Sequence, residues 1–445
     1  ILSGAVFEPK TLFDLFPEDA KDCPTLKTPV AKDDLYWLTN NNKSIKIPSW
    51  LMPKSLHNKG NYIISLGELC QWISEKAMEL GVDIFPGFPA QKYLTDKSGR
   101  VIGIATGDMG IDKEGNHKGT YTPGMDILAK QTIFAEGARG HLGKKLIKAF
   151  NLDEGKTPQH FAIGFKEVWE VDNDKHSPGD VVHTMGWPLK GGTSGGGFLY
   201  HFDNNRIAVG LIVDLNYSNP SHSPFQEFQQ FKQHPSIKQY LESGKRVSYG
   251  ARAITKGGIN SLVKMEFDGG MIVGCDAGTL NPSKIKGSHC ALQSGILAAE
   301  YINKVLSEEN CDFDDLFKSS ALFKELYESR NFSAAMHKFG FYLGATYNFI
   351  ESNIFRNKLP FTIKDENRDC DSLSLSKSSP IKEYPAPDNV LSFDITSSLF
   401  LSGTNHEEDQ PVHLKLTDAS IPLAHNKKLY DEPAQRYCPA GVYEI

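Results

Sequence analysis

Residues 271–300, MIVGCDAGTLNPSKIKGSHCALQSGILAAE, leave this chain the fewest alternatives. A short apolar run ends at Gly274, and the chain breaks at Asp276 and Gly278. It then passes Asn281-Pro282 and becomes a small-residue segment whose spacing predicts a helix over 287–302. An apolar strand, an Asp at its carboxyl end, a Gly/Pro loop and a helix start together can hold the ribityl chain of a flavin. The helix start offers unpaired N–H groups and positive potential, and Asp276 can accept hydrogen bonds from ribityl hydroxyls. Ser288, Ala291, Ser294, Gly295 and Ala298 let such a helix lie close to a sheet. An ordinary strand–loop–helix crossover explains the same residues, and this stretch alone does not separate the two.

With 445 residues the chain has room for about three domains. Its net charge is −6, and its Lys and Arg are scattered without a basic patch, which argues against a nucleic-acid partner. The seven cysteines form no C-x-x-C and no close pair, so a disulfide framework is not expected and a reducing compartment fits better. No apolar run reaches the length of a spanning helix, so any contact with a membrane would be on one face. The sequence opens on Ile1 and stops at Ile445, just after Cys438-Pro439, which reads as a segment of a longer chain from which no targeting signal can be taken.

Along the chain, residues 9–16 predict a short helix stopped by Pro17, in an apolar segment that includes Leu2. It reads either as core or as a loop dipping into a membrane face. Residues 66–80 have helical spacing and are followed by an expected strand at 82–84. A hairpin around Lys97-Ser98-Gly99 precedes a strand expected over 125–134. That strand runs into AEGARGH, where Gly137 and Gly140 would let a dinucleotide backbone approach a helix start. From Ala162 to Leu215 the pattern turns to β and reads as an inserted antiparallel sheet, with Gly195-Gly196-Gly197 either offering N–H groups to a flat carbonyl ligand or forming a hairpin turn. Residues 224–242 read as one helix, and 338–356 as an aromatic helix that is either core or membrane-facing. After Pro360 the polar composition reads as an exposed linker. His406 and His413 with Glu407, Glu408 and Asp409 match no metal-ligand spacing, whereas Cys438 before Pro439 is a weak iron–sulfur signal.

Taken together, ILSGAVFEP, HNKGNYIISLGEL, TIFAEGARGHLGKKL, HTMGWPL, GGGFLYHF, SPFQEFQQFKQHPSI, GKRVSYGARA, NPSKIKGSH, LSGTNHEEDQPVHLKL and RYCPAGVYE resemble one family, the electron-transfer flavoprotein–ubiquinone oxidoreductases, over nearly the whole chain. The resemblance implies an α/β (α+β) architecture. This is a FAD-binding fold of the glutathione-reductase type with an inserted antiparallel-sheet ubiquinone domain and a partial ferredoxin-like C-terminal domain. Its segments would be 1–157 (first part of the FAD domain), 158–260 (ubiquinone domain), 261–360 (last part of the FAD domain and a membrane-facing helical region) and 361–445 (linker and partial iron–sulfur domain).

By the same resemblance, FAD contacts fall on Gly137, Gly140, Asp276, Gly278, Lys286 and Gly287. The quinone-contacting double glycine falls on Gly195 and Gly196, with Gly191 and Gly192 leaving the register open, and the first cluster ligand is Cys438. The family's G-x-G-x-x-G and the C-x-x-C-x-x-C of its [4Fe-4S] cluster are absent from the sequence given, and Ser65 stands where relatives carry Arg. As written, the chain is expected to bind FAD weakly and not to hold a cluster alone. The implied partners are electron-transfer flavoprotein and ubiquinone, with peripheral attachment to the matrix side of the mitochondrial inner membrane. Two other readings are a FAD-dependent isoprenoid-lipid reductase of the geranylgeranyl reductase type and a catalytically silent structural subunit.

Overall fold

A computed structural model describes residues 4–190 and 192–445; Ile1, Leu2, Ser3 and Gly191 lie outside the described residues. The largest element is a seven-stranded sheet. Its strands are β1 (Lys32–Leu38), β2 (Ser44–Ile47), β3 (Phe161–Glu170), β4 (Asp180–Gly186), β5 (Gly195–Phe202), β6 (Arg206–Asp214) and β7 (Lys245–Thr255), in the spatial order β7-β3-β6-β5-β4-β1-β2. Every neighbour pair is antiparallel except β4 with β1, which is parallel. The sheet therefore takes two strands from residues 32–47, outside the 158–260 stretch.

Period-two alternation sorts the side chains of this sheet. Phe165, Leu199, Val209 and Leu211 face the helix α1 (Pro224–Gln233), whose Phe225, Phe228 and Phe231 sit three residues apart on one stripe. Phe198, Tyr200, Ala208 and Ile212 face the other way. The helix expected over 224–242 is two helices, because Pro235 has no N–H to continue the ladder. A second helix starts there, Pro235–Leu241, with His234 Nδ1 accepting from the Ser236 N–H at 3.1 Å.

Under α1 lies a wholly buried ion cluster. Lys232 Nζ donates to both Glu167 carboxylate oxygens at 2.9 and 2.8 Å, Trp169 Nε1 donates to Glu167 at 2.9 Å, and Arg246 adds a contact at 3.2 Å.

A small second sheet positions the site. The strand Thr132–Phe134 runs parallel to Gly270–Ile272, which also pairs with Glu266–Phe267. The strand expected over 125–134 is thus two pieces. Asp126–Leu128 pairs with Val101–Thr106, and the chain then leaves for the parallel pair. No strand forms at 82–84: the Val82 N–H is spent on the Ala77 carbonyl at 3.0 Å, closing the helix Leu66–Glu79, and Val82 and Ile84 are exposed. Ser65 caps that same helix by accepting from the Glu68 N–H.

Two long helices complete the frame: α2 (Ser288–Leu306) and α3 (Phe332–Asn353), the latter kinked at Gly340 where φ is +72°. The polar stretch after Pro360 is not a free linker. Asp365 is buried, Asp369 accepts from the Phe161 N–H, and Lys382 and Tyr384 bind Glu227. Buried polar groups on the main body give this segment its partners. Among the described residues no helix is long and apolar enough to cross a membrane.

Candidate flavin cradle and quinone pocket

Because Thr132–Phe134 and Gly270–Ile272 are adjacent and parallel, the turns that follow them leave from one edge. Asp276 lies in a short helical turn, Gly274–Ala277, ended by Gly278 at φ +98°. Its Oδ1 accepts from the Gly140 N–H at 2.9 Å. A Cβ on Gly140 or Gly143 would stand 2.6 Å or 2.3 Å from the Asp276 carboxylate. Asp276 and the Glu136 Cβ, also 2.6 Å away, by themselves require the small size of Gly140. Gly137, at φ +86°, faces the Arg252 guanidinium.

Burial drives the Asp276 carboxyl up to about 6, with the Gly140 N–H opposing and the Glu136 charge assisting. Its Oδ2, and the hydroxyl of fully buried Thr279, have no hydrogen-bond partner. Two orphaned buried oxygens beside a helix start fit a polyhydroxyl chain. Gly287 precedes α2 without a side-chain cap, leaving its first N–H groups open to a ligand. Lys286 is buried and pushed down to about 8 by that burial; its Nζ reaches the Lys284 carbonyl at 3.3 Å.

A cavity of about 260 Å³ opens beside this cradle. Gly195, Gly196 and Gly197 form one wall and belong to strand β5, not to a hairpin turn. Each needs its small size: a Cβ on Gly195 would lie 2.1 Å from the Ile212 carbonyl oxygen, one on Gly196 2.6 Å from the Thr184 oxygen, and one on Gly197 2.3 Å from the Phe231 ring. The pairing of β4 with β5 ends at Thr184 opposite Gly197, so Gly195 lies past the last β4 rung. The opposite wall is α3, through Met336, His337, Phe341, Ala345 and Phe349.

On its outer side α3 exposes Phe339, Tyr342 and Leu343, and Trp50 is 74 % exposed. The aromatic helix is thus neither core nor purely surface. The loop between Gly278 and Gly287 joins the two sites: Leu280, Pro282 and Ile285 line the cavity, while Lys284 and Lys286 line a separate polar groove with Glu8.

At one end of the cavity the lining turns ionic. Lys256 Nζ donates to Asp214 at 2.6 and 2.8 Å, and His337 lies between Asp214 (3.7 Å) and Asp365, its Nδ1 2.7 Å from the latter. Burial opposes the His337 charge, but the Asp214 and Asp365 carboxylates outweigh it and push the ring up to about 9. Burial would raise Asp214, and Lys256 and His337 instead hold it at about 2. A histidine whose folded value lies above its ordinary 6.5 contributes stability that is complete below pH 6.5 and is lost as the pH rises through about 9. His337→Gln is therefore expected to be destabilised relative to the parent at pH 6 and to approach it by pH 10, a difference read from urea midpoints across that range.

Cys438 ends a short helix, Ala434–Tyr437, and is buried, with its sulfur accepting from the Val442 N–H at 3.5 Å. An N–H donated to sulfur fits an iron–sulfur ligand. The acidic turn with His406 and His413 is engaged by Lys118, which pairs with Glu407 and Asp409.

Sequence comparison assigns the two chemistry-bearing segments. Residues 161–254 match the family model for ETF-QO, ubiquinone-binding, and residues 389–445 match that for the electron transfer flavoprotein-ubiquinone oxidoreductase 4Fe-4S domain. The electron transfer flavoprotein-ubiquinone oxidoreductase of Pseudomonas aeruginosa is 58 % identical, over 100 % of this chain and 82 % of its own length. The chain belongs to the electron transfer flavoprotein-ubiquinone oxidoreductase family. The mitochondrial member from Bos taurus is 46 % identical over 100 % of this chain and 74 % of that protein.

Among solved structures, a geranylgeranyl bacteriochlorophyll reductase-like protein from Thermoplasma acidophilum superposes with a TM-score of 0.52 at 14 % identity, covering 80 % of this chain and 86 % of that one. A flavoprotein/dehydrogenase from Cytophaga hutchinsonii gives 0.51 at 14 % identity, covering 76 % and 77 %. These two share the α/β fold of FAD-binding flavoproteins with this oxidoreductase. For the isoprenoid-reductase reading the likeness is one of fold, whereas the family match extends over the whole chain.

The structure brings Gly137, Gly140, Asp276 and Gly278 to one sheet edge and Gly195 and Gly196 to the neighbouring cavity, with Lys286 and Gly287 in the joining loop and Cys438 at the C-terminal segment. Sequence reading missed His160, Asp214, Lys256, His337 and Asp365. They stand at unrelated positions in five segments, and no spacing rule joins them.

Proposed function

We propose that this chain takes electrons from reduced electron-transfer flavoprotein and passes them to ubiquinone held in the cavity between β5 and α3. The observation that carries the reading is the shared wall. One short loop, 280–285, lines the cavity and leads directly into α2, whose Ser294 Oγ accepts from the Gly274 N–H of the Asp276 turn at 2.9 Å. FAD bound at Gly137, Gly140, Asp276, Gly278, Lys286 and Gly287 would supply the electron-carrying chemistry. Asp276 and Thr279 would accept and donate hydrogen bonds to its ribityl hydroxyls, and the α2 N–H groups would face its electron-rich edge.

Cys438 would supply one thiolate to a [4Fe-4S] cluster. In the cavity, the apolar walls exclude water. The Gly195 N–H, past the end of the β4 pairing, and the bare Gly196 backbone would meet a flat quinone carbonyl where charge develops on reduction. The exposed aromatics of α3 and Trp50 suit the apolar–polar boundary of a membrane, and quinone would enter from that side. The relative from Bos taurus is mitochondrial by name and the one from Pseudomonas aeruginosa is bacterial; for this chain the reading is peripheral attachment to one membrane face, which in a mitochondrion would be the matrix side of the inner membrane.

Ala345, half-buried on the α3 wall, offers a test because filling it need not break the sheet. Ala345→Phe is expected to raise the KM for a short-chain ubiquinone by about tenfold or more, with reduction of the bound flavin by electron-transfer flavoprotein unchanged. An unaltered quinone KM would remove the cavity from the mechanism.

A further inference from the structure

Turning ubiquinone into ubiquinol takes two protons as well as two electrons, and among the described residues the titratable side chains on the cavity wall are His183 and Tyr200, 2.9 Å apart, and the group Asp214, Lys256 and His337. The second group continues outward as a row of side chains. Lys256, Asp214 and His337 line the cavity. Behind them His337 Nδ1 lies 2.7 Å from Asp365, whose other neighbour is His160 Nε2 at 3.3 Å. On its far side His160 Nδ1 contacts Asp369 at 2.7 Å. The two rings stand edge to face with centroids 4.8 Å apart. Asp369 is partly exposed, and Arg368 and Cys370 beside it are exposed. The row thus runs from the surface to the cavity with no gap longer than 3.7 Å; the His160 Nε2–Asp365 approach is a close ion-pair contact and not an aligned hydrogen bond, so the ring must turn slightly to pass a proton there.

Resting on the quinone assignment above, we infer that Asp369, His160, Asp365 and His337 form a proton path from the surface to bound ubiquinone. For each proton, the His337 imidazolium gives up the one on Nε2, an O–H bond forms on a quinone oxygen, and the ring is left neutral with its other proton still on Nδ1. The ring then turns about its Cβ–Cγ bond so that the bare Nε2 takes a proton from Asp365; His160 refills Asp365 and turns in the same way, and Asp369 refills His160 from water. Two passes supply both hydrogens of ubiquinol, and the two electrons come from the oxidoreductase reaction itself. The groups facing His337 are Asp214 on β6, Lys256 after β7, and Asp365 and His160 on the loops outside the sheet. The Asp214–Lys256 pair fixes the charge at the cavity end. Its carboxylate attracts the imidazolium, consistent with a ring that stays charged to about pH 9 and is ready to donate at neutral pH.

The test uses the holoenzyme and the variants His337→Gln and Asp369→Asn, the second at the rim where folding is least at risk. Four readouts are taken: flavin reduction by reduced electron-transfer flavoprotein, equilibrium binding of a short-chain ubiquinone, kcat for ubiquinol formation between pH 6 and 10, and its solvent deuterium isotope effect. Both variants are expected to lower kcat by about tenfold or more, with flavin reduction at parent values in both and quinone binding at the parent value in Asp369→Asn, which lies outside the cavity. The parent kcat should fall above about pH 9 and carry a solvent isotope effect. Added imidazole should restore part of the rate in His337→Gln. Parent kcat in both variants overturns the path, and so does a loss that slows flavin reduction equally or that imidazole leaves untouched. Raised KM in Ala345→Phe together with parent kcat in both path variants would sink the path alone; unchanged KM in Ala345→Phe would sink the quinone site beneath it.

Discussion

Glu167→Gln is expected to lower the unfolding free energy by about 3–5 kcal/mol, the usual cost of removing one partner from a buried ion pair. Glu167 and Lys232 are both fully buried, and the carboxylate is held by Lys232, Arg246 and the Trp169 indole together. Gln preserves the shape but removes the negative charge, leaving two cations against Phe228 and Phe393 in a core that water does not reach.

Burial already pulls Lys232 down to about 8, with Glu167 resisting. Without Glu167 the ammonium loses that support. A lysine depressed below its ordinary 10.5 binds fewer protons folded than unfolded, so the stability of the variant should rise with pH through the alkaline range. Urea midpoints at an unchanged slope measure the effect. Adding Lys232→Met should recover part of the loss, since the unpaired charge goes with it. A change below about 1 kcal/mol would mean that water enters the cluster.

The second large effect is on cofactor retention. Asp276→Ala removes the acceptor for the Gly140 N–H and the free Oδ2 together. Hydrogen bonds to a charged group contribute about 1.5–3 kcal/mol each, so FAD affinity should fall roughly tenfold to hundredfold. Flavin fluorescence on reconstitution reads this directly. Asp276→Asn keeps the size and one acceptor and should fall between the two. Equal FAD affinity in the parent and Asp276→Ala would place the ribityl chain elsewhere.

Residues 271–300 show how far local chemistry reaches. Gly274, Asp276, Gly278 and the small-residue helix were legible because turns and helix starts are built from near neighbours in sequence. The same locality makes Ser65 an N-cap and Pro235 a break, although the reading of 224–242 as one helix passed over the break. It failed at Gly195–Gly197, where a glycine triplet reads as a turn. What requires glycine there is the Phe231 ring and the carbonyls of Thr184 and Ile212, brought in by three other segments. It failed also at the strand expected over 125–134, whose second half leaves its neighbour for a parallel partner nearly 140 positions away.

The sequence by itself determined the period-two strands, the Phe stripe of α1, the caps and breaks, and the family to which the long irregular strings belong. Tertiary structure alone decided that β1 and β2 join the large sheet and that α3 closes the cavity with one side and exposes aromatics on the other. It alone decided that Asp214, Lys256, His337, Asp365 and His160 meet. Backbone preferences act over a few residues and leave a pattern in the string. Contacts between charges distant in sequence arise when packing brings their segments together, and leave none.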